Sequence, residues 1–113
     1  MEFNNVWKLV TSYGHANHTI ETLDRHVVNT VVGVNEDEIV VKSEESKEGI
    51  ERHIRREDFG YVWCLLSFRK TLVLRDIDPE LRGRKAIIFA ILAMAGIPHV
   101  SYRLGPLRLH LDK

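Results

Sequence analysis

Three cations in four residues, Arg82, Arg84 and Lys85, stand directly before ten apolar residues, Ala86 to Ala95. Ala, Ile, Leu, Met and Phe fill that run, and most are good helix formers. Gly96 suits the left-handed position just past a helix, and Pro98 blocks continuation. The run is too short for a bilayer span, which needs about 20 residues, and too long for a strand of about 4–8. A helix dipole prefers anions at its amino end, so cations kept there oppose it. They point to an external anion such as phosphate. The plain alternative is a solvated turn with ordinary surface arginines.

Other side chains carry weaker chemistry. His15 and His18 with His26 close behind suggest zinc, but structural zinc takes four His or Cys ligands and no paired cysteine motif is present. A polar loop that happens to hold histidines covers the pattern. Glu45-Ser46-Lys47 matches the E-x-K fragment of restriction-type nucleases, with Asp24 or Asp37 as an upstream carboxylate for Mg²⁺. The surrounding SEESKEG, however, reads as an exposed turn. Cys64, between Trp63 and Leu65, reads as a small buried apolar residue on a helix. Neither a Gly-rich phosphate loop nor a nucleophile elbow is found. No cofactor, metal or enzymatic activity is expected.

At 113 residues the chain is one domain by size, long enough for its own core. Apolar content of 44% and charged content of 28% are those of an ordinary globular chain. One cysteine excludes an internal disulfide and fits a cytoplasmic protein. No signal peptide or transmembrane span is visible, so no membrane partner is expected. The zero net charge is uneven. Residues 1–51 hold four Lys or Arg against ten acidic side chains, −6, and residues 52–113 hold twelve against six, +6. Such asymmetry points to nucleic-acid contact by the basic half, or to mutual neutralisation of the two halves.

The elements follow from periodicity. Residues 6–11, 19–23, 26–34, 38–43 and 50–54 read as strands, with a polar loop at SYGHANH, a bulge near Gly33 and a turn at Asn35-Glu36-Asp37. They make an antiparallel meander with one face to cover. From Glu57 to Lys70, Phe59, Val62, Trp63 and Leu66 fall on one helix face. Thr71 to Leu74 is a short strand, and Asp78-Pro79-Glu80 starts a helix that Gly83 either interrupts or ends. Two strands follow, 97–104 and 107–111, split by Gly105-Pro106.

Over residues 55–111, helix, short strand, helix start with Gly turn, apolar helix and hairpin come in an order that resembles a winged-helix DNA-binding domain. TLVLRDID followed by RGRKAIIFAIL carries the likeness. The resemblance implies a recognition helix whose amino end enters the major groove. It places Arg82, Arg84 and Lys85 at that end, and Arg103 and Arg108 on wing strands that meet phosphates. The chain departs from the family in a second helix of only about four residues and in a recognition helix too apolar to lie along a groove beyond its first turn.

The expectation is an α+β single domain, 1–113: an N-terminal antiparallel β meander (1–54) packed on a winged-helix-like C-terminal half (55–113). The expected function is non-catalytic binding of double-stranded DNA, as in a transcriptional regulator. A homodimer would cover the apolar surface of the 86–95 helix or an edge of the meander. Two other readings stay open, a protein-interaction or accessory module without nucleic acid, and a small metal-dependent nuclease.

Overall fold

Apolar side chains at Phe3, Val6, Trp7, Val10, Tyr13 and Gly14 recur at the spacing of a helix face. In the computed structural model, which describes residues 1–112, they form a helix, α1 (Phe3–Ala16), with Val6, Trp7, Val10 and Gly14 buried. The strand expected at 6–11 and the loop expected at 12–18 are corrected here. Six residues are less than two helical turns, and apolar groups at both odd and even positions fit either period. The Trp7 indole N–H donates to Glu36 O at 2.9 Å, tying the helix to the far end of the meander. A Cβ on Gly14 would sit 3.0 Å from Val34 Cγ2, so a larger residue there would have to push the Val34 side chain aside for α1 to lie this close to the sheet.

The meander has four strands in sequence order, β1 (Thr19–Glu21), β2 (Val28–Val34), β3 (Glu38–Ser43) and β4 (Glu51–Arg55), all antiparallel. Val31 pairs with Val41 and Gly33 with Val40, so Val32 is the extra residue of a bulge. The Asn35 side chain accepts the N–H groups of Asp37 and Glu38, which closes the β2–β3 turn.

Helix α2 (Arg56–Arg69) buries Phe59, Val62, Trp63 and Leu66, the expected face. Cys64 is exposed, not buried. Apolar residues occur all round this helix, so its composition alone does not say which side faces in. A short strand β5 (Thr71–Val73) and two 3₁₀ turns, Leu74–Asp76 and Pro79–Leu81, lead to Gly83. At φ +83° Gly83 breaks the chain between the second turn and α3 (Lys85–Met94), so residues 79–95 are not one helix.

Helix α3 is the buried rod of the fold. Ile87, Ile88, Phe89, Ala90, Ile91 and Leu92 are each at most 1% exposed. It packs on α1, on β1 and on β6 (Val100–Arg103), joining both halves in one core. Strand β7 (Arg108–Leu111) pairs with both β6 and β5, giving a second sheet in the order β5-β7-β6. A radius of gyration of 12.9 Å matches the roughly 13 Å of a single body this size. The molecule is α+β, and no helix among the described residues is long and apolar enough to cross a membrane.

Candidate nucleic-acid interface

The turn before α3 is built from its caps. Asp78 Oδ1 accepts from Glu80 N at 2.9 Å, which fixes the 3₁₀ turn, and Leu81 anchors it in the core. Arg82 is thereby left pointing from an exposed position. Gly83 then reverses the chain, and its carbonyl accepts from Arg52 Nη1 at 2.7 Å. Nothing caps α3: Arg84 at the N-cap position makes no side-chain cap, and the first turn holds no acid.

The three cations of this turn differ in freedom. Arg84 is held, with Nη2 donating to Glu80 O at 2.6 Å and Nη1 lying 3.5 Å from Asp58 Oδ2. Arg82 and Lys85 form no ion pair among the described residues. Arg82 and Arg84 border a shallow depression together with Arg52 and Arg55 of β4, against Asp58 and Glu80. Four arginines against two carboxylates leave a surplus of two positive charges there. Lys85 faces a different cavity, beneath the meander, that Arg52 also borders.

No family model, curated protein or solved structure matches this chain. Its function has to be read from the chemistry of these side chains.

The β6–β7 hairpin carries the remaining two candidate cations. Arg103 and Arg108 are cross-strand partners on β6 and β7, both exposed, and neither forms an ion pair among the described residues. Like charges directly opposite each other destabilise a hairpin. The hairpin does not border the depression of Arg82 and Arg84. Its turn residues Pro106 and Leu107 line a neighbouring pocket that shares Asp24 and Leu74 with the Lys85 cavity.

Arg52 and Arg55 did not stand out in the sequence, although three arginines within residues 52–56 were a usable signal. The third, Arg56, is spent on α1: it donates to Asn4 Oδ1 and lies 5.8 Å from the Phe3 ring centroid. The other candidate sites are dispersed. His15 and His18 share one open depression beside Val31–Val34. Asp24 and Glu45 border the Lys85 cavity, but Glu45 pairs with Arg25 at 3.1 Å. Among the described residues no group of three or more His, Cys, Asp or Glu could hold a metal ion. Burial pushes the Tyr13 phenol above its usual value.

Proposed function

We propose that this protein binds double-stranded DNA without catalysing a reaction on it, in the manner of a winged-helix regulator. One observation carries the reading: among the described residues Arg82 and Lys85 have no ion-pair partner at the uncapped amino end of α3, where the helix dipole already favours an anion. The side-by-side Arg103 and Arg108 on the hairpin add a second place where a phosphate would relieve repulsion. The order α2, β5, 3₁₀ turn, α3, hairpin supports the winged-helix likeness, and the burial of α3 beyond its first turn confines groove contact to residues 82–85.

Two copies act together in this reading. The apolar run of α3 is consumed within its own chain, so it no longer argues for a dimer. The outer face of α2 does: Tyr61, Cys64 and Phe68 lie at i, i+3 and i+7, and Phe68 is 86% exposed. The same face favours a second reading, a protein-interaction module that meets a different partner there and no nucleic acid.

Gel retardation of a random-sequence duplex at two salt concentrations tests the proposal. Retardation at low salt that fades as salt rises supports DNA binding. Absence of retardation at low salt leaves the interaction module as the better reading.

A further inference from the structure

The cavity that Lys85 faces has a volume of about 200 Å³, far more than the roughly 10–15 Å³ that one water requires. Its α3 wall is formed by Lys85, Ala86 and Ile87. Among the described residues the backbone N–H groups of these three find no acceptor, whereas Ile88 N reaches Arg84 O at 3.0 Å. They are the orphan donors of the helix, and no side chain caps them. Arg52 borders the same wall and spends one guanidinium N–H on Gly83 O, keeping others. This end of the cavity is made for an anion with several oxygens.

Another residue of the lining asks for a donor. Asn29 is 1% exposed, and its Nδ2 donates to Ile20 O at 3.4 Å and Val27 O at 3.2 Å. Those two carbonyls fix the amide, so Oδ1 is the spare atom, and it is buried with no partner. An acceptor left this way is costly unless a water or a ligand N–H meets it. Beside it, the buried Ser43 hydroxyl accepts from Glu45 N at 3.2 Å and keeps its own proton to donate. Val27 and Leu74 line the apolar remainder.

We propose that this cavity takes one nucleotide, its phosphate on the amino end of α3 and its base presenting an N–H to Asn29 Oδ1. A phosphate has three terminal oxygens for the three free amides, and a carboxylate has one too few. Adenine, cytosine and guanine carry an exocyclic amine for Asn29, with ring faces suited to the Val27 and Leu74 side. The nucleotide is either a free mononucleotide or an unpaired residue of a bound strand, and the second source rests on the DNA-binding reading above.

Calorimetric titration of the full chain with AMP, adenosine and inorganic phosphate tests the first source. Fluorescence anisotropy on two labelled duplexes, identical except for one unpaired adenosine, tests the second. The expected result is a preference of at least about tenfold, for AMP over both fragments or for the bulged duplex over the paired one. Ala86→Trp, which fills the cavity from the first turn of α3, should remove whichever preference is found. Asn29→Leu should do the same where it folds. Whichever arm shows the preference names the source. AMP binding no tighter than its fragments, with equal affinity for the two duplexes, overturns the proposal, as does a preference that survives Ala86→Trp. Failure of both duplexes to bind while AMP still binds refutes the DNA reading alone.

Discussion

Salt dependence separates free cations from tied ones at the proposed interface. Among the described residues, four of the five candidate cations, Arg82, Lys85, Arg103 and Arg108, form no ion pair, whereas Arg84 is engaged by Asp58 and by Glu80 O. Each neutralised phosphate contributes about −0.9 to the slope of log affinity against log salt. Four contacts give a slope of about −3.6, so raising salt fourfold should weaken duplex binding by about 150-fold. Replacing Arg103 and Arg108 together by Gln leaves two contacts, a slope of about −1.8 and a loss of about 12-fold over the same range. Arg84→Gln should leave the slope close to that of the parent. Fluorescence anisotropy on a labelled random duplex between about 50 and 200 mM salt measures all three. Equal slopes for the parent and the Arg103→Gln/Arg108→Gln variant would refute the assignment of the wing. A slope that falls as far with Arg84→Gln as with Arg82→Gln would refute the distinction between held and free arginines.

Other outcomes follow from the packing. Ile88→Ala hollows the centre of α3, where the side chain is fully buried, and should cost about 2–5 kcal/mol by denaturant titration. A loss within experimental error would mean that α3 is not the central rod. Phe68→Glu should turn a dimer into a monomer in light scattering after gel filtration, without unfolding it, because the side chain is 86% exposed. An unchanged mass would remove α2 from the dimer. Burial holds the Tyr13 phenol above its ordinary pKa of 10.0. Its contribution to stability is complete below that value and is lost as pH rises through the folded pKa, so Tyr13→Phe should flatten the alkaline fall in stability. An identical fall in both proteins would contradict it.

Most of the fold could be read from local composition. The valine-rich run before Asn35, the Asn-Glu-Asp turn and the apolar run that fills α3 each announce one element, and each element forms there. Helix α1 is hidden in the sequence because residues 6–11 alone span less than two turns, while its face extends from Phe3 to Gly14. Cys64 was misplaced because α2 is apolar on both sides, and only the packing of Phe59 and Trp63 decides which side is inner. The break at Gly83 needed the left-handed φ that sequence allows but does not demand. The cation sites were legible as types, not as partners. Arg84 meets Asp58 across 26 positions of sequence, which nothing local encodes. The Lys85 cavity is less legible still, since Asn29, Ser43 and Ile87 meet only when the meander closes on α3.

The amino end of α3 as the DNA-facing surface is tested most directly by amide chemical-shift mapping during titration with a random duplex. The largest shifts should fall on residues 82–86 and on the hairpin strands around Arg103 and Arg108. Shifts confined to the outer face of α2, or none at all at low salt, would contradict it.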